Sequence, residues 1–249
     1  MKRVKLVVAY DGTNYCGWQV QKNGETIESV LNRAIGELTG EEIHVMGSSR
    51  TDAGVHACGN VAVFDTEARM AADKFSYALN QRLPEDIRIQ DSCEVPADFH
   101  PRFQKTVKTY EYRILNREFP LPAYRFNSHF TYRKLDVERM RQAAAYLIGE
   151  HDFQSFCAAG AQVKTTVRTI YALGVEKQGD LIILRITGNG FLYNMVRIIA
   201  GTLMKIGQGD WEPERIPEIL AGCDRQLAGP TAPARGLTLM EIHFKGEKG

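Results

Sequence analysis

The sequence predicts an α+β fold: two similar halves, each mixing strands and helices, built on a mainly antiparallel sheet. Two observations carry this. Short apolar, β-branched runs alternate with stretches of helical periodicity along all 249 residues. Neighbouring strand-like runs are often separated by only a few turn residues, as in Val167–Glu176 and Leu181–Thr187 around Gln178-Gly179-Asp180. Such links suit hairpins, not the long crossovers of a doubly wound parallel sheet.

The elements follow in order. Val4 to Tyr10 is an apolar, β-branched strand. Thr26-Ile27-Glu28-Ser29 opens a helix, with a hydroxyl cap and an acidic first turn before Val30, Leu31, Ala34, Ile35 and Leu38 at helical spacing. Gly40 ends it. Ile43–Met46 and Gly59–Phe64 read as strands around a loop containing Asp52, and Ala72–Arg82 as a helix stopped by Pro84. Ile87–Cys93 and Thr109–Leu115 are strands, followed by the loop Phe119-Pro120-Leu121-Pro122. Asp136 caps a helix whose apolar positions are Met140, Ala143, Ala144, Leu147 and Ile148 and which closes at Gly149. After the hairpin comes a helix over Asn194–Lys205. Asp210 caps a further one, with Pro213 and acidic residues in its first turn and Gly222 at its end. Leu237–Phe244 is the last strand. This is the pattern of two ferredoxin-like halves, here residues 1–105, carrying the Asp52 loop, and residues 106–249.

Composition narrows the class. Five scattered cysteines argue against a disulfide framework or a cysteine-based zinc site, and six histidines have no metal-ligand spacing. No apolar run approaches the ~20 residues of a membrane span. The basic start, Met1-Lys2-Arg3-Val4-Lys5-Leu6, runs straight into a strand and is no signal peptide, so a reducing cytoplasm is expected. The net charge of +1 hides an uneven distribution. His100–Gln142 holds ten Lys/Arg against four Asp/Glu, a net of +6, and interleaves them with Phe103, Tyr110, Tyr112, Phe119, Tyr124, Phe126, Phe130 and Tyr132. Cations mixed with aromatic rings suit phosphates and unstacked bases, and equally a strand region with a solvated basic face.

The densest chemistry lies in Ser48-Ser49-Arg50-Thr51-Asp52-Ala53-Gly54-Val55-His56-Ala57. One carboxylate sits in a turn of small residues, where a substrate can approach the backbone closely. Thr51, Asp52 and Gly54 also suit an ordinary turn.

Arg50–Ala57 resembles the signature of the tRNA pseudouridine synthase A family, and four further stretches resemble that family's motifs in the same order. They are Ala9-Tyr10-Asp11-Gly12-Thr13-Asn14-Tyr15-Cys16-Gly17-Trp18-Gln19, Lys108-Thr109-Tyr110-Glu111-Tyr112, Gly190-Phe191-Leu192-Tyr193-Asn194-Met195-Val196-Arg197 and Ala234-Arg235-Gly236-Leu237. Together they span essentially the whole chain. Two departures, Ser49 in place of glycine and Pro101 in place of alanine, remove no chemical group.

The resemblance implies a continuous sheet with a central RNA-binding cleft and a homodimer. It also implies conversion of uridine to pseudouridine at positions 38, 39 and 40 of the tRNA anticodon stem-loop. It makes Asp52 the catalytic aspartate, attacking the ribose carbon or deprotonating the sugar. Arg197 becomes the cation paired with it, where the residues alone suggest an arginine snorkelling to the surface. Tyr110 becomes the ring stacked on the flipped uracil, Phe191 and Leu237 the apolar walls, and Arg50 the side chain that helps turn the nucleotide out. Isomerisation needs no cofactor and no metal. His56 reads as structural. Gly188-Asn189-Gly190 and Gly207-Gln208-Gly209 lack the third glycine of a dinucleotide loop and read as turns. An RNA-binding module without catalysis would need neither Asp52 nor Arg197, and a hydrolase would need a second carboxylate that these motifs do not supply.

Overall fold

A computed structural model describes residues 1–160 and 163–244. It divides into two compact units. The first is Met1–Lys105 with the C-terminal stretch that begins at Leu239; the second is Thr106–Thr238.

In chain order, the first unit contains β1 (Lys2–Tyr10), α1 (Ile27–Thr39), β2 (Met46–Gly47), β3 (His56–Thr66), α2 (Phe75–Asn80) and β4 (Ile87–Val95). The second contains β5 (Thr106–Asn116), β6 (His129–Thr131), α3 (Val137–Ala145), β7 (Gly149–Asp152), β8 (Val167–Gln178), β9 (Leu181–Gly188), α4 (Met195–Gly207) and α5 (Arg215–Gly222). β10 (Leu237–Phe244) starts in the second and runs into the first. Strand order in the first unit is β4-β1-β3-β10, with β2 also on β3. β1 pairs antiparallel with both β3 and β4. The second unit has the order β5-β9-β8-β7, all antiparallel, with β6 parallel to β5. The sheet is thus mixed with helices and mainly antiparallel, as expected.

Local chemistry explains the element ends. Thr26 and Ser29 form a reciprocal capping box at the start of α1, and Gly40 ends the helix in the left-handed region at φ 75°. Asp136 caps α3 by accepting from the Glu138 and Arg139 backbone N–H groups. The core of the first unit contains the fully buried Val4, Leu6 and Val8 of β1, Ile27, Leu31 and Ile35 of α1 and the edge-to-face pair Phe64–Phe75.

Some expected elements differ. The strand expected over Ile43–Met46 is only the two residues Met46–Gly47, because the Val45 N–H is taken by the Asn32 side chain, not by a ladder. The helix expected over Ala72–Arg82 is a 3-10 turn, Ala72–Lys74, followed by the short α2. α3 stops at Ala145, and residues 146–148 close with i→i+3 bonds. Asp210 caps no helix: it binds Arg133 and Lys205, and α5 begins at Arg215. β6 and β7 are additional, too short to leave a periodic signal.

Candidate active site

In the first unit, the Arg50–Gly54 loop leads into β3 and lies against the loop that follows β1. Trp18 N–H donates to Thr51 O at 3.0 Å, Gly54 N–H donates to Tyr15 O at 3.4 Å, and Val55 N–H closes the turn onto Asp52 O at 3.1 Å. Gly54 takes φ 76°, the left-handed turn that its lack of a side chain permits. The two loops touch backbone to backbone. A Cβ on Gly17, itself at φ 85°, would sit 2.6 Å from Thr51 O, and one on Gly12 would overlap the Val55 carbonyl. The glycines of the opening motif therefore fit the Asp52 loop sterically. Asp52 is half-buried, Thr51 buried and Arg50 exposed.

His56 helps hold this junction. Its Nδ1 lies 3.1 Å from Asp11 Oδ1 and accepts from the Gly12 N–H at 3.1 Å. Burial pushes the Asp11 carboxyl up, but hydrogen bonds from the Thr13 hydroxyl and N–H lead the causes that outweigh it, so Asp11 titrates below the usual range. The two departures from the family pattern lie nearby: Ser48 Oγ, beside Ser49, donates to Pro101 O at 2.9 Å.

The sequence drew no attention to Asn60. It is fully buried on β3 and bonds both backbone groups of Ser49 and the Tyr10 hydroxyl. Its one signal was an amide interrupting an apolar strand run.

In the second unit the structure brings Tyr110 and Phe191 together, their rings edge-to-face with centroids 5.2 Å apart. Both tyrosines of β5 are buried. Tyr112 Oη donates to Pro233 O at 2.8 Å, and a Cβ on Gly236 would lie 2.7 Å from the Tyr112 ring. Gly236 thus lets the Ala234–Leu237 segment pass over that ring and lead Leu237, also buried, into β10. Burial raises the Tyr112 phenol pKa, with Arg197 and Arg235 opposing.

Arg197 does not snorkel. Its Nε donates to Ala232 O at 2.7 Å and its Nη1 to Asn194 Oδ1 at 2.8 Å, while Ala232 N–H returns a bond to Arg197 O at 3.1 Å. Asn194 precedes α4 at φ 59°, a left-handed conformation that asparagine tolerates better than most residues. Gly201, one turn on, and Gly229 permit the close approach of the segment that carries Ala232, since Cβ atoms there would strike Pro230 and Thr202 backbone.

The basic stretch is less free than its charge suggests. Arg113, Arg117, Arg133, Arg139 and Arg141 pair with Glu111, Asp180, Asp210, Glu212 and Glu138. Arg102, Lys105 and Lys134 are exposed, and so are Phe103 at 82% and Tyr132 at 73%. Among the described residues no group of three or more His, Cys, Asp or Glu could hold a metal ion, and no helix is long and apolar enough to cross a membrane.

A family model described as tRNA pseudouridine synthase matches residues 6–104 and 143–245. The chain belongs to the tRNA pseudouridine synthase family. The tRNA pseudouridine synthase A of Brevibacillus brevis is 51% identical over 245 residues, covering 98% of this chain and all of the relative. Those of Ruminiclostridium cellulolyticum and Acetivibrio thermocellus are 49% and 48% identical, again over 98% of this chain and all of theirs. The chain is therefore an isomerase: uridine and pseudouridine contain the same atoms, joined differently.

Proposed function

We propose that the chain converts uridine to pseudouridine at positions 38, 39 and 40 of the tRNA anticodon stem-loop, with Asp52 as its catalytic carboxylate. One observation supports this most. The half-buried Asp52 is carried on a loop whose backbone is locked against the opening loop by Gly12 and Gly17, so one carboxylate is held rigidly beside the exposed Arg50. Rigid placement is what a reaction on one ribose carbon requires.

The C1′–N1 bond breaks, the uracil turns, and C1′ bonds to C5. The C5 proton leaves to solvent and N1 takes one up. Asp52 serves this by attacking the ribose carbon or by deprotonating the sugar. No oxidant, reductant or group donor enters, so no cofactor is required. Arg197, its guanidinium oriented by Asn194 and Ala232, supplies the positive charge that keeps the carboxylate ionised as water is excluded. Tyr110 stacks on the extruded uracil, its ring buttressed by Phe191, and Leu237 adds an apolar wall. Arg50 helps extrude the nucleotide and holds its phosphate. The exposed cations and rings of His100–Gln142 grip the RNA backbone. The enzyme acts as a cytoplasmic homodimer, since a single copy is small for gripping a tRNA body while reaching its anticodon arm.

Release of tritium from tRNA labelled at uridine C5 tests this. Release by the native chain and none by Asp52→Asn, with tRNA binding retained, is the expected result. Equal release by both would refute the role of Asp52.

A further inference from the structure

We propose that Asn60 is the positioning residue of the Arg50–Asp52 loop, an inference that rests on Asp52 being the reaction's carboxylate. Asn60 Nδ2 donates to Ser49 O at 3.0 Å and to Tyr10 Oη at 3.3 Å. Its Oδ1 accepts from Val61 N–H at 2.9 Å and from Ser49 N–H at 3.3 Å. Two donors and two acceptor lone pairs are all used, which is the full capacity of an amide. Tyr10 Oη is in turn hydrogen bonded to Thr51 Oγ1 at 2.7 Å. Ser49 and Thr51 flank Arg50, and Thr51 precedes Asp52. One buried amide therefore fixes the chain directly on one side of Arg50 and through a phenol on the other.

The strand is shaped for this. Val8 lies opposite Asn60 but Tyr10 lies opposite Ala57, so β3 carries one extra residue between them. Such a bulge re-aims side chains at the rim of a sheet. Val61, Ala62, Val63 and Phe64 follow in the same strand as buried apolar residues, and packing alone would favour another of that kind at position 60. A buried amide is costly unless fully bonded, and once fully bonded it specifies one geometry. Aspartate has the same shape but no N–H to donate to Ser49 or Tyr10. Phenylalanine at position 10 keeps the ring and removes the hydroxyl, and with it both the acceptor for Asn60 Nδ2 and the bridge to Thr51.

The experiment measures three quantities for the native chain, Asn60→Asp, Tyr10→Phe and Asp52→Asn: the single-turnover rate of tritium release at saturating tRNA, the tRNA Kd, and the melting temperature. A 1 Å displacement of a reacting group costs roughly a hundredfold, so a partial loss of bracing is expected to slow Asn60→Asp about tenfold or more and Tyr10→Phe several-fold. The Kd is expected to stay within about twofold. A lower melting temperature with an unchanged rate per folded molecule would overturn the inference, leaving Asn60 a stabilising residue only. If Asn60→Asp does not fold, an unchanged rate for Tyr10→Phe overturns it equally. Asp52→Asn separates the two levels. If it is inactive while Asn60→Asp and Tyr10→Phe are fully active, only this inference fails; if it keeps its activity, the reading of the site fails and takes this inference with it.

Discussion

Gly201→Ala adds one methyl group one turn along α4 from Arg197, and the structure sets its cost. The new Cβ would lie 2.9 Å from the Pro230 carbonyl carbon and closer still to its oxygen, inside the 3.0 Å that real Cβ atoms respect. Both obstacles are backbone, so neither can swing aside. Either α4 or the segment from Gly229 to Ala232 must move. Overpacking of this kind costs about 1–3 kcal/mol. Movement also strains the two bonds joining Arg197 and Ala232, at about 1 kcal/mol each. Alanine's better helix propensity returns about 1 kcal/mol. The net loss is about 2–4 kcal/mol, a fall in melting temperature of roughly 5–15 °C for a protein of this size. Thermal unfolding followed by circular dichroism measures the stability, and C5 tritium release at a temperature where the variant is folded measures the placement of Arg197. A melting temperature within about 2 °C of native would refute the close-approach argument. A large drop with undiminished turnover would refute the link from this segment to Arg197.

Arg197→Lys keeps the charge but loses the planar fork that meets Ala232 and Asn194, so turnover should fall at least about tenfold with tRNA affinity little changed; single-turnover kinetics decide this. Arg102→Ala combined with Lys105→Ala should weaken tRNA binding and flatten its salt dependence, whereas Arg133→Ala, whose cation is already paired with Asp210, should do so less; filter binding across salt concentrations compares them. Tyr15 and Tyr112 are held protonated in the fold, chiefly by burial, with their phenols raised above the ordinary 10.0. Below that value both states carry the proton and stability does not depend on them; above it the unfolded chain ionises first, so stability falls as pH rises. Urea midpoints taken from pH 9 to 11 should decline, and Tyr112→Phe should decline less steeply.

What the sequence disclosed of the fold follows the range of the forces involved. The capping box at Thr26 and Ser29, the end at Gly40 and the cap at Asp136 act within four residues, so their spelling sufficed. Asp210 has the same spelling but is drawn off by Arg133, 77 residues away, and by Lys205. Val45 is likewise drawn off by Asn32, and the strand expected there shrinks to two residues. The candidate site divides in the same way. The turn at Asp52 and the left-handed Gly54 follow from a short run of small residues. The reason Gly12 and Gly17 must be glycine, and the amide at position 60 that braces Ser49, arise from chain segments that meet only after folding. The charge count of His100–Gln142 overstates its free cations for a related reason: at least half of its ten cations find acidic partners, three of them outside the stretch.

The last strand gives the first unit an unusual schedule. β10 lies beside β3, and from Leu239 onward it is counted with residues whose last member, Lys105, precedes it by more than a hundred positions. During synthesis the ribosome delivers β1, β2, β3 and β4 early, but the part of the β3 edge that β10 takes waits uncovered, beside the two residues of β2, while the whole second unit is translated. An uncovered strand edge is an invitation to pair with any other extended chain. The nascent protein is therefore most exposed to misassociation in the interval between Lys105 and Leu239, and slowing translation across that interval should lengthen the time for which β3 remains open.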